Sequence, residues 1–489
     1  MTRVLLLALV ACRGAGEDAT PSPRTEPTGD PAPTGGDSTS RPSTAETAPT
    51  AVTGASGPTA APTADTSAYT GAPTASPYIT LSGPPPTNVL LLSVDTVRAE
   101  RLNGNGYTLR TTSPTIDALL AEGLALRNHR SCSSWTMASF LCFLTGMDQV
   151  TLGTWPDNNR HGKGLLPYPT DDLPSMAWHL QERGFATRLV TANALIGPNY
   201  NMTRGHDDVR RTFVPTETAD VAIERLSEVT SAGAPWFVHA HFMAPHTPYD
   251  PDPSYLDGTT SCPGHDLTGD GFRAWTRVRD EQSPSDRAAC DAHLAALYDG
   301  LLAETDHHLG RILAALDASG QRDDTAIVFV TDHGEGFDDH DDWEHGYGNY
   351  DELIRATAGV VYPRRIAPAV HHGLTTHEDA LPTLFTLLDL PVPPELTGHP
   401  VGAVDRDQLV QLTYSNAETH QSVTTADAKL VLDWEHGLEH YDLLADPGEQ
   451  TNLWNPDAAT SQALWKRLEP HVTELAARVT DGSAPAQLP

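Results

Sequence analysis

The stretch NVLLLSVDTVRAERL at residues 88–102 decides the fold class, because it joins an apolar strand to an acidic residue. Its first part is an almost uninterrupted apolar run, which is typical of a parallel strand covered by helices on both faces. The run ends at Asp95. A buried carboxylate is unfavourable unless it is paired or binds a metal, but open α/β sheets bind ligands at the carboxyl ends of their strands. Asp95 is therefore a candidate ligand-binding residue.

Two further apolar segments lead to polar residues in the same way. The segment AIVFVTDH ends on Asp332 and His333, and PWFVHAHFMAPH leads into a loop that contains His246. A single aspartate after a strand is usually a turn or capping residue, but three coincident cases favour one shared site. Carboxylate and imidazole groups are ligands of divalent cations. We therefore predict a metal site formed by Asp95, Asp332 and His333.

A candidate nucleophile lies between these strands, in the segment SCSSWTMASFLCFLTGM. We predict a helix from Met137 to Leu144 that ends near Gly146, with Thr136 at its N-terminus. Thr136 is either an N-cap residue or a nucleophile, because a coordinated cation can activate a hydroxyl that is otherwise inert. The N-terminus of the helix would also favour an anionic substrate.

The rest of the folded region alternates apolar strands with helical patterns, which indicates a mostly parallel sheet flanked by helices. Helices are predicted over residues 115–126 and 459–479. The catalytic domain is predicted at residues 88–397. Beyond about Gly398 the pattern changes to short strands and a last helix, which predicts a small C-terminal α+β subdomain at residues 398–480.

The N-terminal region predicts export. The first residues, MTRVLLLALVAC, carry one arginine and an apolar run too short to span a bilayer. LVAC resembles a bacterial lipobox, so residues 1–12 are interpreted as a lipoprotein signal peptide with Cys12 as the lipidated residue; the alternative is a soluble export signal. Residues 13–87 are rich in Thr, Pro, Ala, Ser and Gly, which predicts a disordered tether. We expect a protein that is lipid-anchored in the bacterial envelope, at the outer membrane or cell surface.

Composition narrows the class of function. The chain has 489 residues with 39% hydrophobic content, which is enough for one large core and a small subdomain. The formal net charge of −33 argues against nucleic-acid binding. Cys262 and Cys290 bracket a polar segment and are the favoured disulfide pair. Cys132 and Cys142 either pair or remain small buried hydrophobic residues.

Taken together, these residues resemble the sulfatase family of the alkaline phosphatase superfamily, over about residues 88–452. NVLLLSVDTVRAERL resembles the family's first metal strand, FVHAHFMAPHTPYDP its His-x-Pro-Tyr loop, and VFVTDHGEGF its most specific motif. HEDALPTLFTLLDLPVP and EHYDLLADPGEQTNLWN resemble later signatures. The resemblance implies an alkaline-phosphatase-like fold and metal ligands at Asp95, Asp332 and His333. It also implies that His246 contacts the leaving group or the transferred anion.

The resemblance draws attention to the loop that follows His333. His345, in WEHGYG, falls where the family has a substrate-binding His or Lys. His340 lies on the same loop, in the acidic run FDDHDDWEH, and is either a further site residue or a solvated side chain. His333 stands where many calcium-dependent sulfatases have Asn or Gln, so the resemblance favours Zn²⁺ or Mn²⁺ over Ca²⁺ as the divalent cation.

The chain departs from the family at the nucleophile. Sulfatases carry a Cys or Ser there that is oxidised to formylglycine and followed by x-Pro-Ser-Arg. Counting back from LTG places Thr136 at this position, Ala138 at the proline and Phe140 at the arginine. A threonine cannot become formylglycine, but it can be a direct nucleophile, as in the phosphodiesterase and phosphotransferase branches of the superfamily. Thr96 and Ala244 also stand where relatives often have Asp.

The predicted function is a metal-dependent hydrolase that cleaves sulfate or phosphate esters, with Thr136 as nucleophile and metal ligand. His246 and His345 would neutralise charge as the leaving oxygen departs. One alternative is a transferase that moves a phospho-group onto an envelope acceptor. The other is a surface-tethered binding protein with a decayed site, which Phe140 and Ala244 motivate.

Overall fold

The computed structural model describes residues 81–153, 173–340, 342–414 and 419–480. The strands in these residues are β1 (Asn88–Val94), β2 (Leu124–Arg130), β3 (Ala186–Thr191), β4 (Asp208–Arg211), β5 (Trp236–Phe242), β6 (Thr325–Thr331), β7 (Gly336–Phe337), β8 (Trp343–Glu344), β9 (Ala358–Val361), β10 (Ala369–Thr376), β11 (Leu409–Tyr414), β12 (Thr419–Thr424), β13 (Ala428–Asp433) and β14 (Gly437–Asp442). The α-helices are α1 (Pro114–Ala121), α2 (Thr136–Thr145), α3 (Gln149–Leu152), α4 (Met176–Gln181), α5 (Pro215–Ala232), α6 (Gly271–Val278), α7 (Pro284–Ala318), α8 (Asp351–Ile354), α9 (Ala380–Leu387) and α10 (Ala459–Thr480). The predicted signal peptide, Cys12 and most of the predicted tether lie outside the described residues.

Eight strands form one large sheet in the order β10-β2-β9-β6-β1-β5-β3-β4. Neighbouring strands are parallel except at β9, which runs antiparallel to both β2 and β6. The three central strands, β6, β1 and β5, are buried along their whole length. This burial is expected for parallel strands that are covered on both faces, and it confirms the predicted mostly parallel sheet flanked by helices.

Alternate residues of β1 enter two different hydrophobic clusters. Val89 and Leu91 pack in a cluster with the apolar residues of α2 and α9. Leu90 and Leu92 pack in a second cluster with α5 and α7. Because successive side chains of a strand point to opposite faces of its sheet, helices cover the sheet on both sides.

Strands β11 to β14 form a separate antiparallel sheet. Helix α10 packs on this sheet through Leu464, Leu468 and Val472. This arrangement confirms the predicted C-terminal subdomain. The subdomain joins the catalytic domain close to α2, where the backbone N–H of Leu412 donates a hydrogen bond to the carbonyl of Cys132 at 3.0 Å.

The helix predicted from Met137 to Leu144 is α2. It ends at Gly146, which has the left-handed backbone angle φ of 69° that favours glycine at a helix C-terminus. The helix predicted over residues 115–126 is shorter than expected: α1 stops at Ala121, and the apolar residues that follow belong to β2. A short apolar run fits both a helix and a buried strand, which explains this error.

Residues 81–87, at the end of the predicted tether, lie against the catalytic domain. The backbone N–H of Ser82 donates to the carbonyl of Arg365 at 3.0 Å, and that of Thr87 donates to the carbonyl of Asp324 at 2.9 Å. Leu81 packs against the same hydrophobic cluster as α2. Within the described residues, the helices include none with the length and apolar character needed to cross a membrane.

The four cysteines of the catalytic domain behave in two ways. Cys262 and Cys290 form a disulfide, as predicted, which links the segment after β5 to the first turns of α7. Cys132 and Cys142 are buried thiols. The structure therefore supports the second alternative for this pair, that of buried unpaired residues.

Candidate active site

The register of the central strands brings the predicted ligands together. Val94, the last residue of β1, pairs with Phe242 of β5 and Thr331 of β6. The next residue, Asp95, donates its backbone N–H to the Phe242 carbonyl at 2.9 Å, and Asp332 donates to the Val94 carbonyl at 3.1 Å. The carboxyl ends of three adjacent strands therefore meet at one edge, as the strand-end rule predicts.

Asp95, Asp332 and His333 each offer one ligand atom, and these atoms lie within 4.8 Å of one another. His333 Nε2 is 3.7 Å from Asp95 Oδ1 and 3.5 Å from Asp332 Oδ2. Both carboxylate oxygens are buried, and neither accepts a hydrogen bond from the described residues. Adjacent ligands of a tetrahedral ion with bonds of about 2.1 Å lie about 3.4 Å apart. The three residues therefore fit a small divalent cation.

The other polar atoms of Asp332 and His333 hold this geometry. Asp332 Oδ1 accepts hydrogen bonds from the backbone N–H groups of Thr96 at 3.0 Å and His333 at 2.7 Å. His333 Nδ1 lies 2.9 Å from the carbonyl oxygen of Gly334, which can only accept, so the ring proton is assigned to Nδ1. The lone pair of Nε2 is then free to face the two carboxylates, as a metal ligand requires.

Asp95 is held by two residues that we did not predict. Asn193 Nδ2 donates to Asp95 Oδ2 at 2.6 Å, and His241 Nε2 lies 3.5 Å from the same oxygen. The ring of His241 is oriented from its other side, where Nδ1 lies 3.0 Å from Ser93 Oγ. Asn193 follows the end of β3, the strand next to β5, so the strand-end rule applied to a fourth strand would have found it.

Burial and close neighbours shift the pKa values of the acidic and imidazole groups of the site. Burial and the charge of Asp95 hold the pKa of Asp332 well above its usual range. Burial also raises the pKa of Asp95, but the neighbouring His241 and the other surrounding imidazoles outweigh it and hold that pKa below its usual range. Burial and the neighbouring His345 lower the pKa of His333 to about 3. A neutral imidazole beside two close carboxylates is the donor set of a cation site.

Thr136 lies directly beside this group. It is the first residue of α2, and the N-cap position is occupied by Trp135, so the N-cap interpretation of Thr136 is wrong. Its Oγ lies 3.2 Å from His333 Nε2, and the residue is 1% exposed. Ser139, in the same helical turn, donates its hydroxyl to the carbonyl of Asp332 at 2.8 Å. This bond ties the first turn of α2 to the metal-ligand loop.

His246 and His345 complete the arrangement. The ring of His345 lies 4.5 Å from that of His333 and 4.8 Å from that of His246, measured between centroids. Its Nδ1 lies 2.8 Å from Glu335 Oε1, and the other oxygen of this buried carboxylate accepts a hydrogen bond from Tyr249 at 3.1 Å. Burial lowers the pKa of His345, but Glu335 raises it above its ordinary value overall. This shift favours the protonated form of His345 beside the candidate metal ligands.

Comparison with known proteins agrees with this geometry. The family model described as Sulfatase matches residues 87–390. The chain belongs to the sulfatase family. An arylsulfatase from Clostridium perfringens is 22% identical over 447 residues, covering 76% of this chain and 90% of that protein. A phosphatidylethanolamine transferase from Escherichia coli is 24% identical over 341 residues, covering 62% of this chain and 54% of that protein.

A solved structure also shares the fold of this chain. A protein solved in complex with its substrate D-glucosamine-2-N,6-O-disulfate aligns with a TM-score of 0.64 at 19% identity, covering 82% of this chain and all of that one (100%). Membership of the sulfatase family confirms the predicted fold and, of the predicted sulfuric- or phosphoric-ester hydrolase, indicates the sulfuric-ester class.

The residue at the family's arginine position has a different role in this sulfatase-family chain. Phe140 is 1% exposed, and its ring lies edge-on to His241 at 5.0 Å and 6.0 Å from His239. It therefore packs against two buried imidazoles, of which His241 faces Asp95. Ala244 presents its carbonyl oxygen to the hydroxyl of Thr305 at 3.3 Å.

His340 does not join the other histidines. Its Nδ1 lies 2.6 Å from Glu352 Oε1, its Nε2 lies 2.9 Å from the carbonyl of Glu449, and its ring stacks on Tyr350 with 3.7 Å between centroids. The side chain is 12% exposed. Neither sequence-based alternative, a site residue or a solvated side chain, describes this partly buried ion pair. Glu335, by contrast, was missed although it stands in the motif VFVTDHGEGF.

Proposed function

We propose that this sulfatase-family protein is a metal-dependent hydrolase of sulfate or phosphate esters with Thr136 as its nucleophile. The observation that carries the proposal is the position of Thr136 Oγ, which is 3.2 Å from His333 Nε2 at the edge where two carboxylate oxygens are unpaired. A divalent cation held by Asp95, Asp332 and His333 would lower the pKa of the hydroxyl and neutralise the non-bridging oxygens of the ester.

The residues of the chain account for each step. Thr136 Oγ loses its proton to solvent and bonds to sulfur or phosphorus, while the bond to the leaving oxygen breaks. His246 or His345 donates a proton to that leaving oxygen. Water then returns a proton to this histidine and attacks the sulfur or phosphorus of the threonyl ester, which releases sulfate or phosphate, and Thr136 Oγ regains a proton from solvent. The first backbone N–H groups of α2 and the ring of His345, whose pKa Glu335 raises, favour the anionic group throughout.

Two observations bear on the substrate. The arylsulfatase relative and the neighbour bound to a sulfated glucosamine support a sulfate ester. An unmodified threonine as nucleophile, in place of the formylglycine of sulfatases, supports a phosphate or phosphonate ester as the substrate. The shared chemistry is in-line attack on a tetrahedral sulfuryl or phosphoryl centre, where positioning and charge stabilisation supply most of the catalysis.

The ligand atoms also indicate which cation the site would bind. Two carboxylate oxygens and one neutral imidazole suit Zn²⁺ or Mn²⁺, whereas Ca²⁺ takes six to eight oxygen ligands. We therefore propose Zn²⁺ or Mn²⁺ first and Ca²⁺ second.

The test is a matrix of substrates and metals. The purified protein is treated with chelator, reloaded with Zn²⁺, Mn²⁺ or Ca²⁺, and assayed with an aryl sulfate, an aryl phosphate, an aryl phosphodiester and an aryl phosphonate. We expect turnover of at least one ester class with a transition metal, and loss of that turnover after chelation. Turnover that survives complete metal removal would contradict the metal-dependent mechanism. Binding of sulfate or phosphate without turnover of any of the four esters would favour the binding-protein alternative.

A transferase is a second candidate, favoured by the similarity to a phosphatidylethanolamine transferase. In such a reaction an acceptor alcohol replaces water in the second step and takes the group from Thr136. Adding increasing glycerol or glucosamine to the assay distinguishes the two. A product ratio that follows the acceptor concentration favours transfer, and free sulfate or phosphate in constant proportion favours hydrolysis.

We also propose that the protein is exported and lipid-anchored through Cys12. The motive is the segment LVAC followed by a long stretch rich in Thr, Pro and Ala. The Cys12→Ser variant should lose membrane association and change its electrophoretic mobility. Unchanged fractionation and mobility would contradict the anchor.

A further inference from the structure

A second group of metal-ligand side chains lies at α2, distinct from the active site. Cys132, Cys142 and Glu378 each offer one ligand atom, and these atoms lie within 4.8 Å of one another. Cys132 Sγ is 3.9 Å from Glu378 Oε1 and 3.8 Å from Thr376 Oγ. The three residues come from separate segments: Cys132 precedes α2, Cys142 lies within α2, and Glu378 lies between β10 and α9. Their convergence is therefore a product of the tertiary fold.

The surroundings allow an ion to enter. A cavity of about 300 Å³ reaches the group and is lined in part by Cys132, Thr376 and Glu378, with Asp148 and His399 nearby. Both thiols are buried, at 4% and 0% exposure, whereas Glu378 is partly exposed to this cavity. A metal site needs an entry path, and a cavity of this size has room for a water molecule as a fourth ligand.

We propose that Cys132, Cys142 and Glu378 form a second metal site, a structural one that binds Zn²⁺. Thiolates are soft ligands that select Zn²⁺ over Mg²⁺ or Ca²⁺. Two sulfurs bound to one tetrahedral Zn²⁺ at about 2.3 Å lie about 3.8 Å apart, which is within the spacing of this group. The ion would join α2, which begins with Thr136, to the segment before α9. It would thus brace the helix that carries the nucleophile.

The protonation states of the two cysteines and Glu378 determine how many protons are released when Zn²⁺ binds. Burial raises the pKa of both cysteine thiols. Burial and the neighbouring charge of Asp148 raise the pKa of Glu378 to about 7. The metal-free thiols are therefore protonated at neutral pH, and Zn²⁺ binding displaces a proton from each. Binding should weaken as the pH falls, because protons then compete with the ion.

The test uses Co²⁺ as a spectroscopic substitute for Zn²⁺. The full chain is exported with the Cys12→Ser substitution, so that the Cys262–Cys290 disulfide forms and the two buried cysteines are the remaining thiols. After chelation, Co²⁺ is titrated without oxygen. We expect thiolate-to-cobalt charge-transfer absorption in the near ultraviolet whose final intensity corresponds to one thiolate-bound ion per chain. The Cys142→Ala variant should lose this absorption.

Two further variants separate this site from the active site. Asp332→Asn, which removes a ligand of the proposed catalytic ion, should bind fewer ions in total but keep the charge-transfer absorption. Glu378→Gln keeps both thiols and should weaken Co²⁺ binding about tenfold or more. Failure of the proposed enzymatic function would leave these spectra unchanged, so the two proposals fail separately.

Two results would overturn the second site. One is the lack of charge-transfer absorption in the Cys12→Ser protein, which contains both thiols and needs no further variant. The other is an intact mass showing that exported protein has lost two more hydrogens than the Cys262–Cys290 disulfide requires. That mass would mean that Cys132 and Cys142 form a disulfide instead of binding an ion.

Discussion

The active centre and the junction with the C-terminal subdomain are both buried and acidic, but among the described residues only the junction pairs its carboxylates with arginine and lysine. We define the junction cluster as Arg130, Asp351, Lys429 and Glu449. The carboxylate of Asp351 lies 2.8 Å from the guanidinium of Arg130 and 2.6 Å from the ammonium of Lys429. The ammonium of Lys429 also lies 2.8 Å from the carboxylate of Glu449. The Lys429 side chain is completely buried. Two cations thus balance two carboxylates.

The active centre has the same number of carboxylates and a different balance. Asp95 and Asp332 lie beside the neutral ring of His333, and each keeps one buried oxygen without a hydrogen bond from the described residues. A buried charge is stable only when it is paired or bound to an ion. The comparison teaches that the carboxylates of the junction face a lysine and an arginine, whereas among the described residues those of the active centre face imidazoles, in an arrangement that fits a cation.

The sharpest way to separate the two regions is to remove the nucleophile without changing any charge. Thr136→Val keeps the shape of the side chain and deletes its hydroxyl. We expect kcat for the best ester to fall by about 10⁵-fold or more, equivalent to about 7 kcal/mol of activation free energy. Steady-state kinetics and metal analysis would measure this, and the metal content should not change.

Thr136→Ser is the matched control, since it keeps the hydroxyl and removes a methyl group. It should retain measurable turnover. A Thr136→Val enzyme as active as the unmodified protein would show that a different group attacks the ester. The proposed difference in reactivity between the active centre and the junction would then no longer rest on Thr136.

The junction should respond in stability instead of activity. Lys429→Met leaves Glu449 without its cation and weakens the balance at Asp351, so we expect the free energy of unfolding to fall by about 3–5 kcal/mol. The activity of the remaining folded protein should stay the same. Urea unfolding followed by circular dichroism measures the change.

The control for this prediction is an exposed ion pair of the same subdomain. Arg467 lies 2.8 Å from Asp407, with side chains 36% and 78% exposed. Arg467→Ala should change the free energy of unfolding by less than about 1 kcal/mol. Equal effects of Lys429→Met and Arg467→Ala would contradict the structural role of the junction cluster.

His340, which contacts Glu449 of the junction, predicts a pH dependence. Burial lowers the pKa of His340, but Glu352 outweighs it and raises the pKa to about 9. The stabilisation is complete below the unfolded pKa of about 6.5 and is lost as the pH rises through about 9, because the folded state alone keeps the proton in between. We expect a loss of about 2–3 kcal/mol over this window, measured as the urea midpoint at several pH values. His340→Gln should flatten the curve, and an unchanged slope would contradict the assignment.

The smallest expected effect is the change in stability when one of the two carboxylates of the active centre is removed. In metal-free protein, Asp332→Asn removes one of two close carboxylates, so it should raise the free energy of unfolding by about 1–2 kcal/mol. The same variant should lose the stabilisation that added Zn²⁺ gives to the unmodified protein at this site. Thermal unfolding with and without metal measures both. A destabilised metal-free variant would mean that the chain already balances the two carboxylates.

The sequence by itself determined the edge of the sheet at which the candidate ligands meet. Asp95, Asp332 and His333 each follow a long apolar run, and the carboxyl ends of parallel strands must meet at one edge of their sheet. Thr136 could be placed because its distance from Gly146 and the start of the apolar helical pattern are local features. Local patterns of this kind survive folding unchanged, which is why these predictions match the structure.

The tertiary structure alone decided the contacts between distant segments. Asn193 reaches Asp95 because β3 lies next to β5, and Glu378 reaches Cys132 across 246 positions of sequence. The C-terminal end of α1 and the start of β2 were misplaced because a short apolar run fits either period. Strand order, loop paths and the burial of single polar atoms depend on the whole packed chain, since each residue is stabilised by neighbours that no local pattern encodes.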